Sequence, residues 1–374
     1  MNILLAAMSL DIGGAETHVL GLAKELKKMG HKPIVISTGG VYVKELEDND
    51  IPHYEAPLNK KDIINLTKSV RIIWKIVNRE KVHLLHGHGR IPALNCKLIS
   101  VLKGIPFMTT AHAKFKASLI YRYTSFWGKE VICISEDIKD HLINKFNVQP
   151  KKITIIPNGI DIEKFSPKLD GINVRDELKL NDDTIKIVYI SRISGSLTKL
   201  VKMVIETGKE VYKEMENIDL IVAGDGEDFK EICEVSDRVN SEANRKFIHI
   251  LGKRTDVAEI FSLASLAISV SRSALEAMAC GKPVILAGGE GYMGLLTEKN
   301  IDAAISNNFT GRTSDNEISV QILKKEILEF LHPSNEERRS ELGNLGRKVV
   351  KERFSIEAMA QNTVDIYTKL LKGV

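Results

Sequence analysis

Cysteine, aromatic side chains and long apolar runs are all scarce in this 374-residue chain. Its four cysteines, at 96, 133, 233 and 280, form no C-x-x-C pair. That argues against a disulfide framework or a zinc site and suits a reducing compartment. No apolar run approaches the roughly 20 residues that a membrane span needs. The apolar start, "MNILLAAMSLDIGGAE", has no basic lead and runs into a glycine turn, so it reads as a strand and not a signal peptide. A cytosolic protein is expected, or one bound to a membrane surface from the cytosol. There is no low-complexity segment, no credible D-x-D metal pair and no recognised nucleic-acid-binding module. Nucleic acid is therefore not an expected partner.

What is present is ordinary in bulk and uneven in distribution. The hydrophobic share is 43% and the charged share 27%, as in soluble globular proteins. The length favours two domains over one. Residues 1–165 carry 24 Lys+Arg against 16 Asp+Glu, a net +8, while the remainder carries 29 against 33, a net −4. The first half is thus biased toward anionic partners.

Short apolar runs alternate with amphipathic helical stretches from end to end. "NILLAAM", "KPIVIST", "VHLLHGH", "IPFMTTAH", "VICIS" and "ITIIP" read as strands in the first half. "IKIVYIS", "DLIVAG", "KFIHILG", "LAISVS" and "KPVILA" do so in the second. Continuous apolar runs are strands covered on both faces, as in parallel sheets flanked by helices. Repeated βα units predict an α/β architecture of two doubly wound halves. The turn signal Asn158-Gly159 and Pro167 place a boundary between residues 1–165 and 166–354. The last stretch, 355–374, is an amphipathic helix.

In open α/β sheets, ligands bind outside the carboxyl ends of the strands, so the residues just after each strand are the site candidates. Gly13-Gly14 follows the first strand. It is either a tight turn or a backbone that lets a ligand approach a helix N-terminus. His83, His86 and His88 lie within six residues, but His83 and His86 would face opposite ways on a strand and no acid is near, so a polar strand end is preferred to a metal site. His112 ends the next strand and could donate to a substrate. Arg192, with Lys199 beyond it, could clamp an anion, since guanidinium binds phosphate in two-pronged fashion; the bland reading is a solvated helix start. Gly224-Asp225-Gly226 is a flexible turn. "SALE", Ser273 to Glu276, fits a helix capping box, and equally a carboxylate that accepts from the vicinal hydroxyls of a ribose. "GEGYMG", Gly289 to Gly294, reads better as an amide-rich loop around phosphate than as a dinucleotide fingerprint.

Taken together, "GGAETHVLGLAKELKKMGH", "CISEDIKDHL", "IPNGIDIEKFSP", "SRIS", "VAGDGED", "LGKRTDV" and "LEAMACGKPVILAGG" resemble the family-4 retaining glycosyltransferases of the GT-B fold. That resemblance implies two Rossmann-like domains facing a central cleft, the first for the acceptor and the second for the sugar nucleotide. It implies that Arg192 and Lys199 neutralise the leaving diphosphate, the lysine standing two residues later than the usual spacing. It implies that Glu276 holds the ribose, that Gly13 and Gly14 line the reacting centre, and that His112 lies near the transferred sugar. Amides around Gly288, Gly289, Glu290 and Gly291 would face the phosphates, with Gly224 beside them, and the last helix would cross back onto the first domain. The expected partners are a nucleotide sugar (UDP- or GDP-linked) and a glycan or lipid-linked acceptor, as in cell-envelope polysaccharide synthesis. No cofactor and no metal are expected.

One departure stands out. The family pairs two glutamates with seven residues between them, and here Ile268 occupies the first place; either Arg272 substitutes or the donor differs. A sugar-nucleotide epimerase and a degenerate nucleotide-sugar-binding subunit are the competing readings. Two further stretches suggest a membrane surface. In "LTKSVRIIWKIVNREK", Lys68, Arg71, Lys75 and Arg79 share one helical face, and "KFKASLIYRYTSFWGK" interleaves bases with aromatics. Solvated faces are the plain alternative; peripheral binding to anionic lipid is the functional one.

Overall fold

The computed structural model describes residues 1–312, 314 and 316–373, without the side chain of Ser196. The chain divides into two compact units, residues 1–159 joined by the segment from 355, and Ile160–Phe354. The dividing point lies six residues before the one read from the turn signals.

Unit 1 is built on seven strands: β1 (Asn2–Ala7), β2 (Lys32–Ser37), β3 (His53–Glu55), β4 (Leu84–His88), β5 (Phe107–Ala111), β6 (Val131–Cys133) and β7 (Ile153–Ile155). Their order is β3-β2-β1-β4-β5-β6-β7, and every pairing is parallel. The alternation of side chains along a strand explains the uninterrupted apolar runs. Ile3, Leu5 and Ala7 of β1 enter one core, which includes Ile356, Met359 and Tyr367 of the helix Ile356–Lys372. Leu4 and Ala6 enter the other, with Ile73, Ile76 and Val77 of the helix Ile63–Arg79. Both faces are buried, so neither tolerates a polar residue within the strand.

Unit 2 repeats the scheme with β8 (Ile185–Ile190), β9 (Ile218–Ala223), β10 (Ile248–Ile250), β11 (Leu266–Ser269), β12 (Val284–Gly288) and β13 (Gly291–Leu295). The order is β10-β9-β8-β11-β12-β13, parallel except for the β12–β13 hairpin. Val188, Ala267, Val284 and Leu286 face one core, and Ile187, Tyr189, Ile268 and Ile285 the other.

In each sheet the strand order reverses once, beside β1 and β4 in unit 1 and beside β8 and β11 in unit 2. At such a reversal the connecting helices leave on opposite faces, and a crevice opens at the carboxyl ends of the two central strands. Among the described residues no helix is long and apolar enough to cross a membrane.

The turn after β9 shapes the crevice of unit 2. Gly224 has φ +152°, and a Cβ there would lie 1.8 Å from the Ser191 carbonyl oxygen. Ser191 N donates to the Ala223 carbonyl at 3.2 Å, and Ile193 N to that of Asp225 at 3.0 Å. The glycine therefore braces the loop that carries Arg192; it is not a slack turn. Gly224→Ala should cost about 2–4 kcal/mol, lowering Tm by roughly 5–10 °C, because the new methyl must push the loop aside. Differential scanning calorimetry checks this.

Candidate functional site

Unit 2 gathers the expected donor-binding residues at its reversal point. Arg192 follows β8 directly and its side chain is exposed. Lys199 lies in the first turns of the helix Ser196–Tyr212 and is exposed too. A cation at a helix N-terminus opposes the helix dipole, so an anion bound there would satisfy both. Thr198, one residue earlier, is tied by its hydroxyl to Asp228 at 2.6 Å, which fixes the helix start.

Past β11 the capping box does not form. The helix begins at Ser271, three residues earlier than that reading required, with Val270 as N-cap and no side-chain cap. The Ser273 hydroxyl donates to the Val270 carbonyl at 2.8 Å. Glu276 instead accepts from Arg272 Nε at 2.8 Å across one helical turn. Both side chains are largely buried, at 11% and 13% exposure. Burial pushes the Glu276 carboxyl above its ordinary range, and Arg272 pulls it partly back. A buried carboxylate that accepts a side-chain hydrogen bond from Arg272 has lone pairs left to offer hydroxyl donors.

Three non-glycine residues with left-handed backbone meet at this point: Ser271 (φ 52°), Asn308 (φ 58°) and Phe309 (φ 57°). Ser271 N donates to the Phe309 carbonyl at 2.7 Å, and Asn308 Nδ2 donates to Ser271 Oγ at 3.2 Å. Strain of this kind persists where the surroundings over-determine it, and it clusters at ligand sites. Neither Ser271 nor Asn308 was singled out from the sequence; left-handed φ at a serine leaves no compositional mark.

The glycine-rich stretch differs from the expected open loop. Gly288 pairs with Gly291, and Leu286 with Gly294, in the antiparallel β12–β13 ladder. Only Gly289 and Glu290 form the turn. Glu290 is ion-paired with Arg312. The G-x-G-x-x-G spacing serves a hairpin because the ladder consumes backbone groups that a phosphate loop would leave open. Ile268 is buried in β11 at 1% exposure, so the family's first glutamate has no counterpart there.

Unit 1 presents a different chemistry at its own reversal point. Gly13, an N-cap without a capping side chain, and Gly14 open the helix Gly14–Lys28. Within that helix His18 is buried; His88 ends β4, and His112 follows β5 half-buried. His88 Nδ1 lies 3.0 Å from His112 Nε2. The ring centroids of His18 and His112 are 4.7 Å apart, those of His18 and His88 5.6 Å, and those of His88 and His112 5.3 Å. His18 Nδ1 contacts Asn158 Oδ1 at 3.1 Å. Since that oxygen only accepts, Nδ1 carries the proton and Nε2 keeps its lone pair. His86, beneath them, pairs with Tyr367 Oη and Thr110 Oγ1, each at 2.7 Å. Burial drives the His86 pKa down to about 3 and that of His88 well below the ordinary range, with their neighbouring histidines adding to the effect. Both rings are neutral near pH 7.

His83 stands apart, since its Nδ1 accepts from Asn2 N at 2.8 Å. Of the three histidines close in sequence, only His88 joins the cluster of His18, His88 and His112. His18 was missed because it lies 70 residues from His88; its place one turn inside the helix after Gly13-Gly14 is the signal that points to it.

Two family profiles match the chain. Glycosyltransferase Family 4 covers residues 12–164, and Glycosyl transferases group 1 covers residues 172–349. The chain belongs to the family-4 group 1 glycosyltransferases. This glycosyltransferase is 23% identical to the GPI3 subunit of the phosphatidylinositol N-acetylglucosaminyltransferase of Saccharomyces cerevisiae, over 96% of this chain and 80% of that protein. It is 25% identical to the alpha-monoglucosyldiacylglycerol synthase of Streptococcus pneumoniae, over 78% and 72%. Among solved structures it superposes on Anabaena HepE in complex with UDP-glucose with a TM-score of 0.75, at 18% identity over 99% of this chain and 100% of that one. It is a GT-B enzyme of the glycosyltransferase class.

Tyr367→Phe removes the partner of a buried imidazole nitrogen and should cost this glycosyltransferase about 1–3 kcal/mol in stability. Equilibrium urea unfolding measures it.

Proposed function

We propose that this glycosyltransferase moves a hexose from a nucleoside-diphosphate sugar, with retention of anomeric configuration, to a hydroxyl of a glycan or lipid-linked acceptor in cell-envelope polysaccharide synthesis. The observation that carries the reading is the set at the reversal point of unit 2: an exposed arginine after β8, a lysine in a helix first turn, and a buried carboxylate paired with Arg272 after β11. A nucleoside diphosphate sugar offers each of them its complement. The diphosphate suits the Arg192 guanidinium and the Lys199 ammonium, and the ribose hydroxyls suit Glu276. UDP-glucose is what HepE holds in its crystal structure, which supports a UDP sugar as donor.

As the bond from the anomeric carbon to the diphosphate oxygen breaks, positive charge grows on the carbon and negative charge on the leaving group. Fixed cations and helix-end amides lower that barrier because they need no reorganisation. In this reading the reaction needs no metal, since Arg192 and Lys199 supply the charge. His112, held by His88, would lie near the transferred sugar. Glu276 must release at least one lone pair to the ribose, and Arg272 at 2.8 Å offsets part of the burial effect that favours its proton.

We place the enzyme on the cytosolic face of a membrane. Residues 60–124 carry thirteen Lys+Arg and two Asp+Glu, a net +11, against −7 for the rest of the chain. The same segment exposes Ile63 and Ile64 at 77% each, Leu119 at 71%, Ile120 at 72% and Tyr123 at 82%. A groove of about 530 Å³ along the helix Ile63–Arg79 is lined by Ile63, Ile64, Lys68, Arg71 and Lys75 among others. Among the described residues none of Lys68, Arg71 and Lys75 has a carboxylate partner, whereas Arg79 is tied to Glu80 at 3.4 Å. Apolar side chains beside unpaired cations complement an anionic bilayer, which takes the first into its acyl boundary and the second at its headgroups.

Arg192→Ala and Glu276→Gln should each raise the Kd for UDP or its sugars at least about tenfold while leaving the fold intact. Isothermal titration calorimetry decides this, and unchanged affinity in both would remove the site. Because burial raises the Glu276 pKa, the carboxyl takes up its proton above the usual range as pH falls, and a protonated carboxyl accepts poorly. Affinity of the wild type should therefore weaken between pH 7 and pH 5, and that of Glu276→Gln should weaken less.

The wild type should co-sediment with phosphatidylglycerol-containing vesicles and not with neutral ones. Ile63→Ser/Ile64→Ser and Lys68→Glu/Arg71→Glu should each lose that binding with donor affinity unchanged. Equal sedimentation with both vesicle types would remove the membrane role.

A further inference from the structure

We propose that His18, His88 and His112 form a binding site for one divalent transition-metal ion of the Zn²⁺, Co²⁺ or Ni²⁺ type in unit 1. One donor nitrogen from each of the three residues can be chosen so that all lie within 4.8 Å of one another. The three come from different elements, the helix after β1, the end of β4 and the residue after β5, which the strand-order reversal brings to one point.

The donor chemistry selects the ion class. Three imidazoles without a carboxylate suit borderline cations and disfavour Mg²⁺ and Ca²⁺, which want oxygen. Metal–nitrogen bonds of about 2.0–2.1 Å in a tetrahedron place donor nitrogens roughly 3.3 Å apart. His88 Nδ1 and His112 Nε2, at 3.0 Å, already meet that spacing. The three donors lie within 4.8 Å of one another, so His18 has to move closer to complete the set. Its tautomer is preset: Asn158 takes the Nδ1 proton at 3.1 Å, the outer-shell contact by which ligating histidines are held.

His88 is 4% exposed. Its Nε2 is buried with no hydrogen-bond partner, so that nitrogen can carry the ring proton while Nδ1 faces the ion. In the metal-free arrangement one of His88 Nδ1 and His112 Nε2 donates to the other. On loading, that proton moves to the second nitrogen of its own ring, so two lone pairs face the ion and no net proton is released. A fourth position remains for water or a sugar hydroxyl.

The proposed ion does not serve the transfer reaction. It takes the lone pair of His112, the residue placed near the transferred sugar, so it acts as an inhibitor of the metal-free enzyme. The site itself does not depend on the transferase reading, and its test does not use activity.

Cobalt is the probe. Chelator-treated full-length protein titrated with Co²⁺ should develop visible d–d absorption of tetrahedral intensity that saturates at one equivalent and disappears on adding Zn²⁺. His18→Gln, His88→Gln and His112→Gln should each weaken Co²⁺ binding at least about tenfold, and His83→Gln should leave it unchanged. Near-UV circular dichroism and UDP affinity check that each variant is folded; His112, the half-exposed member, is the substitution the core tolerates best. Absence of the band in the wild type would overturn the proposal, as would a band that survives in the folded His112→Gln variant.

Discussion

The proposed donor site depends on one buried carboxylate, Glu276, and on the Arg272 guanidinium that draws its pKa partly back down. Glu276 sits one helical turn from Arg272, and together they replace the capping box that the local sequence offers. An isolated ionised carboxylate at that depth would cost several kcal/mol or take up a proton. Arg272 beside it offsets part of that burial effect, and capacity is left over for a ligand. The backbone around the pair holds three left-handed non-glycine residues, Ser271, Asn308 and Phe309. We read that strain as the cost of holding the pair in place, offset by the apolar packing of β11 and β12.

The same constraint explains where polar chemistry appears at all. Strands covered on both faces admit almost no functional side chains within their length. Every candidate residue is therefore driven to a strand end, and topology then decides which ends are neighbours. Reversal of strand order beside β8 collects Arg192, Arg272 and Glu276. Reversal beside β1 collects the imidazoles of His18, His88 and His112. One unit thus offers cations and a carboxylate, and the other a cluster of neutral rings.

Much of this was legible in the sequence. Uninterrupted runs such as "NILLAA" and "KIVYIS" specify buried parallel strands, and their βα spacing specifies the two halves. Arg192 and Glu276 follow once the rule of strand ends is applied. The misses share a cause. Ser273 and Glu276 satisfy a capping box on paper, but the helix start is set by packing of Val270 and by the Phe309 carbonyl, nearly 40 residues on. Gly289 to Gly294 satisfies a phosphate-loop spacing, but the antiparallel partner of β12 is invisible to a local reading. His18 joins His88 only through the fold. Contacts between residues far apart in sequence leave no periodic mark.

A crystal structure of the enzyme with a UDP sugar tests the central claim most directly. The account requires the diphosphate against Arg192 and the N-terminus of the helix Ser196–Tyr212, with ribose hydroxyls donating to Glu276. A nucleotide bound away from the carboxyl ends of β8 and β11, with the Arg272–Glu276 pair undisturbed, would contradict it.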